Sequence, residues 1–217
     1  MRLLKYALRS LWARRSTTLA TACGIALLVF VLAASGMLSN GMRQTLMSAG
    51  ESSRALILEH DKWAEQGSRL DQSVLGRVAA APGVKRDGEG QALVTGETVS
   101  HLIIGSPSEK RISTLQIRGV GANVFALRPT VRLVAGRAIQ PNTAEAIVGR
   151  ATVGRQPGLE LGGSFELASG RPVHVVGVFE SGGSVLESEV WVDLDAARSA
   201  LALEGSLNSI TARLEHP

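Results

Sequence analysis

The sequence predicts an α+β protein, in which one N-terminal transmembrane helix is followed by a domain combining an α/β lobe with a β-rich lobe. Three observations carry this prediction. A run of 24 residues from Ser16 to Ser39 holds no charge, which suits a helix crossing a hydrocarbon core about 30 Å thick. Beyond it the chain reads as strand, helix, strand, strand. Short Val-rich and Gly-punctuated strands then dominate, before a last helix and strand. The expected organisation is an amphipathic interfacial helix at 1–15, the span at 16–39, a stalk at 40–53 and the external domain at 54–217. Within that domain the α/β lobe takes about 54–120 with 205–217, and the β-rich lobe about 121–204.

The basic tail sets the orientation. Arg2, Lys5, Arg9, Arg14 and Arg15 precede the apolar run and no acid stands among them. Cations concentrated before a span hold that end in the cytoplasm, so the body is expected outside. Leu4, Leu8, Leu11 and Trp12 lie on one side of a helical projection and Arg2, Lys5 and Arg9 on another, as in a helix lying in the headgroup plane. The same stretch also admits a reading as a cleaved export signal, with Leu32 to Gly36 as the cleavage site. Both readings put the body outside the cytoplasm. Past the span, Leu38, Met42 and Leu46 continue the helical spacing into the stalk.

The elements of the body follow in order. "RALILEH" (54–60) alternates as a strand. "SRLDQSVLGRVAAAPGV" (68–84) places Leu70, Val74 and Val78 on one helix face, offers Ser68 or Asp71 as the cap, and ends at Pro82-Gly83. "QALVTGETVSHLIIG" and "ISTLQIRGVG" are strands around a turn at "SPSEKR". Five short strands follow, in "VRLVAGRAI", "AEAIVGR", "LGGSFELAS", "RPVHVVGVFE" and "SEVWVDL", and suggest a small sheet or barrel-like module rather than a parallel layer. "DLDAARSALAL" is a short helix capped by Asp193 or Asp195, and "SLNSITARLE" a final strand.

Composition excludes several functions. The pI of about 9.8 invites a nucleic-acid reading, but the charge is local. With the five N-terminal cations set aside, 18 Lys and Arg stand against 19 Asp and Glu. Aromatic residues are 4% of the chain, leaving few platforms on which bases could stack. Nucleic acid is therefore not an expected partner. The one cysteine, Cys23, lies inside the apolar run and forms no intramolecular disulfide. No phosphate-binding G-x-x-x-x-G-K-[ST] loop and no G-x-S-x-G elbow occur, so neither ATP hydrolysis nor serine hydrolase chemistry is expected of this chain. His60, His101, His174 and His216 are too scattered for ligand spacing, and His60-Asp61 beside Glu59 reads as a solvated cluster. No metal and no cofactor is expected.

The most suggestive stretch is "VVGVFESGGSVLESEVWV" (175–192). Three carboxylates, Glu180, Glu187 and Glu189, surround a Gly/Ser loop with His174 just before it, which could serve an acid/base pair or a metal. The competing reading is a loop between two half-buried strands, with "SGGS" supplying residues tolerant of positive φ. The strands' Val and aromatic content favours the second. Glu180, Ser181, Gly182, Gly183, Ser184, Glu187 and Glu189 are then a partner-facing loop with a solvated acidic edge, while Val176, Val178 and Trp191 are buried.

The ordered set "ALRSLWARRSTTLATACGIAL", "VLGRVAAAPGV", "VRLVAGRAI…AEAIVGR", "GLELGGSFEL" and "VHVVGVFESGGSVLESEVWVDL" resembles the FtsX-like permease family of ABC transporters with a MacB-like periplasmic core domain, over nearly the whole chain. The resemblance implies a permease subunit with four membrane helices and a large external domain between the first two. This sequence carries one span and is expected to be the N-terminal part of such a subunit. The resemblance further implies a non-enzymatic role in the cell (inner) membrane, with the main domain extracytoplasmic. A separate ABC ATPase would drive it, with a second copy or a related permease as dimer partner, membrane lipid around the span, and a periplasmic adaptor or lipoprotein as a further partner. It also implies that the 175–192 segment is a structural hairpin without catalysis. The alternative function is a single-span anchored sensor or adaptor, or a secreted protein with a cleaved signal.

Overall fold

The computed structural model describes residues 15–49, 53–104 and 113–216. The expected interfacial helix and the "SPSEKR" turn lie outside them. Helix α1, Arg15–Ala49, runs for 35 residues. Its portion Arg15–Met42 is long and apolar enough to cross a membrane. Leu27, Leu28, Phe30 and Leu32 are exposed along it, which suits a lipid environment rather than water. Residues 40–49, expected as part of a stalk, continue the same helix without a break.

The rest of the chain forms a second compact unit, Leu46–Pro217, built on one mixed sheet. Its strands are β1 (Arg54–Ile57), β3 (Val94–Ile104), β4 (Ser113–Val120), β5 (Arg132–Gly136), β6 (Glu145–Gly149), β7 (Ser164–Ala168), β8 (Arg171–Glu180), β9 (Glu189–Asp193) and β11 (Ser209–Arg213). The spatial order is β1-β11-β3-β4-β9-β6-β8-β5, with β7 pairing β8. A small second ladder joins β2 (Leu70–Asp71) to β10 (Ser206–Leu207). The strands assigned to the two lobes occupy the two halves of this sheet, joined where β4 runs parallel to β9.

One expectation narrows here and another changes. Of the small sheet or barrel-like module expected for the β-rich section, the sheet is what forms, and it is mixed, since β6 runs parallel to β8 as well as β4 to β9. Strands β8 and β9 do not form a hairpin. Strand β6 lies between them and pairs with both.

The expected 68–84 helix is also shorter. Helix α2 covers only Ser73–Ala79, because Leu70 and Asp71 are drawn into the β10 ladder. Ser68 is fully buried and accepts a hydrogen bond from the Glu59 amide, so it is not the cap. Asp71 instead accepts from the Ser73 amide at 2.8 Å, closing the turn into the helix. Helix α3 is a single turn, Val124–Leu127. Helix α4, Leu194–Leu201, starts as expected at Asp193, whose carboxylate accepts from the amides of Asp195 and Ala196.

Alternation along the strands gives the sheet two different faces. On one face Leu115, Ile117, Val190, Val192 and Val148 form an apolar core with Ala197 of α4. Near β11 and β3, Ile210 and Val94 continue that core under Val74, Leu75 and Val78 of α2. Gly119 makes the close approach of α4 possible, since a Cβ there would stand 2.7 Å from that of Ala197. The other face is apolar from β9 outward, around Ile147, Phe179 and Trp191, with Val120 at the end of β4 joining that cluster. Across β3, β4 and the start of β9 it is polar.

Candidate functional site

The polar face follows from register. Arg118 stands opposite Val99 and beside Trp191, and Gln116 beside Glu189, so Glu97, Gln116, Arg118, Glu189 and Trp191 project on the same side. Across β11, Ser209 faces Glu97 and Thr211 faces Leu56 of β1. Three pieces close over this face: the loop 58–69, the residue after α3, and a 3-10 turn at Val185–Ser188.

Arg118 is the centre of the arrangement and is 4% exposed. Its Nε donates to Glu189 at 2.8 Å and its Nη2 to the other oxygen of Glu189 at 2.9 Å. Nη1 donates to Glu97 at 2.8 Å and to Glu65 at 2.7 Å, and Nη2 also reaches Glu65 at 3.0 Å. A guanidinium has five N–H groups, and all of them are used. Glu97, fully buried, binds Arg128 through both oxygens as well. Glu65 is held from below by the Ser209 hydroxyl at 2.6 Å. Glu189 accepts further hydrogen bonds from Gln116 Nε2 and the Trp191 indole N–H. The Trp191 ring stacks on Phe179 with centroids 4.2 Å apart, and Arg128 lies 5.6 Å above its centroid.

The electrostatics follow from this geometry. Burial alone would raise the Glu97 carboxyl, but Arg128 and Arg118 together outweigh it and hold the group at about 2. Arg118 shows the mirror case, in which burial opposes the charge and Glu189, Glu97 and Glu65 together raise the group well above its ordinary value. Three carboxylates therefore face two buried guanidinium groups, with the charged forms of Glu97 and Arg118 favoured by their partners. A cavity of about 260 Å³ opens over the network, lined by Arg54, Leu56, Glu65, Arg118, Arg128, Glu189 and Thr211 among others.

The acidic loop is redistributed by the structure. Glu189 is 4% exposed and belongs to the network, so it is no part of a solvated edge. Glu187 caps its own loop, accepting from the amides of Ser181 at 2.7 Å and Gly183 at 2.8 Å. Glu180 is half-buried and pairs with Arg132 and Arg150, which hold its carboxyl below the usual range through hydrogen bonds. Ser181 and Ser184 are buried. Only Gly182, Gly183 and Val185 face solvent between 181 and 186. Their loop turns with positive φ at both glycines, as the sequence suggested.

The histidines do not meet. His101 is exposed on β3, His174 is exposed on β8, and His60 pairs with the Asp61 carboxylate at 2.9 Å, both exposed. Among the described residues no three of His, Cys, Asp and Glu gather as a metal-ligand group. Arg118, Glu97, Glu65 and Arg128 were not singled out from the sequence. Their one signal there is a charge in mid-strand, in "VTGETV" and "LQIRGV", which reads equally as the solvent side of a half-buried sheet.

Comparison with known proteins places this fold. The crystal structure of the periplasmic region of MacB from Actinobacillus actinomycetemcomitans is similar, with a TM-score of 0.53 at 15% identity, covering 75% of each chain. So is the extracellular domain of the noncanonic ABC-type transporter YknZ from Gram-positive bacteria, with a TM-score of 0.51 at 16% identity over 74% of this chain and 82% of that one. No curated protein matches the sequence. The family model of the MacB-like periplasmic core domain matches residues 18–217, which bears out the resemblance read from the sequence. The chain belongs to the MacB-like periplasmic core domain family.

Proposed function

We propose that this chain is the N-terminal part of a non-enzymatic permease subunit of an ABC transporter, whose extracytoplasmic domain moves in response to ATP hydrolysis by a separate cytoplasmic ATPase. The observation that carries the reading is the single family match from residue 18 to residue 217, which takes in both the apolar helix and the body. The five N-terminal cations support a cytoplasmic N-terminus in the cell (inner) membrane. Fuel and external domain then lie on opposite sides of the bilayer, so work must cross it mechanically. An uninterrupted helix from Arg15 to Ala49 is a suitable element for that. Permeases of this kind act in pairs, so a second copy or a related subunit completes the transporter, and an adaptor or lipoprotein outside is a further partner. Gly182, Gly183, Val185 and Ser188 are the exposed residues of the 180–189 segment available to face it. The buried network is the device that keeps the domain rigid under load.

The test is capture of the tagged chain from native membranes in mild detergent. An ABC ATPase subunit should be retained in stoichiometric amount. Capture of the chain without any ABC ATPase, under conditions that keep other transporters intact, would overturn the reading.

A further inference from the structure

The loop 60–67 is fastened to the domain in two separable ways. Its neck is fixed. The Ser68 hydroxyl accepts from the Glu59 amide at 2.9 Å, and the Glu59 carboxylate accepts from the Arg69 amide at 3.0 Å, which closes the two ends of the loop on each other. The Ser68 carbonyl accepts from Asn208 Nδ2, whose Oδ1 accepts from the Val99 amide, so the neck is tied to β3 without a charged group. Beyond the neck, every residue from His60 to Gly67 is exposed except Glu65. Among the described residues, Glu65 makes all the hydrogen bonds and ion pairs that join 60–67 to the strands beneath: two from Arg118 and one from the Ser209 hydroxyl. Charge decides which member of the network can leave. Glu65, Glu97 and Glu189 stand against Arg118 and Arg128, one carboxylate in excess. Without Glu65 the other four groups balance, and Arg118 still holds Glu189 through Nε and Nη2 and Glu97 through Nη1. Glu65 is also the least buried of the three, its side chain 16% exposed against 0% for Glu97 and 5% for Glu189, so it recovers hydration most readily. Gly67, between Glu65 and the neck, has φ +86° and open space where a Cβ would stand, so the backbone there is free to turn.

We propose that residues 60–67 are a strap over the polar cavity, latched by Glu65, which opens as a unit while the neck and the other four charged groups stay in place. Closed, Glu65 forms part of the cavity wall beside Arg118. Open, the strap gives solvent the Arg118 Nη hydrogens and the Ser209 hydroxyl that Glu65 had held. A segment with exposed backbone and few anchoring contacts is where such local opening occurs ahead of global unfolding. The inference goes beyond the permease reading and does not depend on it, since opening is measured on the chain alone.

The experiment is native-state proteolysis of the full chain in detergent micelles with a lysine-specific endopeptidase, the cut sites being identified by mass spectrometry and each rate taken relative to the same variant denatured. Lys62 lies in the strap. Lys85 lies outside it, held through its amide by Arg213 and through its carbonyl by Leu93. Where opening is fast relative to cleavage, the rate after Lys62 follows the open population. In the parent it should be lower than in the denatured chain by about tenfold or more. Glu65→Ala should raise it by about tenfold or more and Ser209→Ala by about threefold, through the hydrogen bonds each removes. Cleavage after Lys85 should not change, and the thermal midpoint of Glu65→Ala should stay within about 3 °C of the parent. Unchanged cleavage after Lys62 in Glu65→Ala, or cleavage there in the parent as fast as in the denatured chain, would overturn the latch. Rates after Lys62 and Lys85 that rise together, or a Glu65→Ala chain that fails to fold, would show that Glu65 holds the whole domain and would overturn it equally.

Discussion

Replacing Arg118 by Met tests the network most sharply, because it removes the charge and all five hydrogen bonds while keeping the aliphatic stem. Glu97 would retain Arg128, but Glu189 would keep only Gln116 and Trp191 as partners, and Glu65 only Ser209. Their carboxylates cannot recover full hydration, since Glu189 is 4% exposed and Glu97 fully buried. Breaking a buried ion network by removing one partner costs about 3–5 kcal/mol. At about 2–4 °C per kcal/mol for a domain of this size, the midpoint should fall by roughly 6–20 °C. Near-ultraviolet circular dichroism on heating is the assay, as Trp191 sits inside the network and reports its loss. A fall of less than about 2 °C would show that the network adds no rigidity, and the structural role given to it would be wrong.

Acid should act through the same groups. The folded value of Glu97, about 2, lies below its ordinary 4.5, so its contribution is complete above pH 4.5 and is lost as pH falls toward 2. That gap corresponds to about 3 kcal/mol by linkage, and Glu97→Gln should flatten the melting profile over this window. Gly149→Ala should destabilise by about 1–3 kcal/mol, because its Cβ would stand 2.2 Å from the Glu187 carbonyl oxygen; an unchanged midpoint would mean that the 3-10 turn does not sit against β6. Asp193→Ala should cost about 1 kcal/mol through loss of the α4 cap, visible as a lower urea midpoint at constant slope. Trp63→Ala, at a side chain 97% exposed, should leave stability within about 0.5 kcal/mol, and a larger loss would place that loop in the core.

The strands were legible because alternation is local. Leu115 and Ile117 against Gln116 and Arg118 marks β4 whatever it pairs with. Pairing is not local, and there the sequence misleads. The runs either side of "SGGS" suggest a hairpin, yet β6 from some thirty residues upstream takes the place between them. The same gap hid the site. Glu97, Arg118 and Glu189 each look like a polar residue on a solvent face, and only register shows that a carboxylate, a guanidinium and a carboxylate fall side by side. What buries them is a loop carrying Glu65 and a one-turn helix ending beside Arg128, neither of which has a periodic signal. Trp191 was legible as core, being apolar in a Val-rich strand, whereas its indole bond to Glu189 was not.

The central claim, an external domain worked from inside the cell, is tested most directly by topology. A reporter active only outside the cytoplasm, fused after Pro217, should be active in the parent chain. Neutralising Arg9, Arg14 and Arg15 while adding positive charges near Asn40 should abolish that activity, because in the proposed topology the cations before the span hold the N-terminus inside. A parent fusion that is inactive outside and active as a cytoplasmic reporter would contradict the orientation, the mechanical coupling and the permease assignment together.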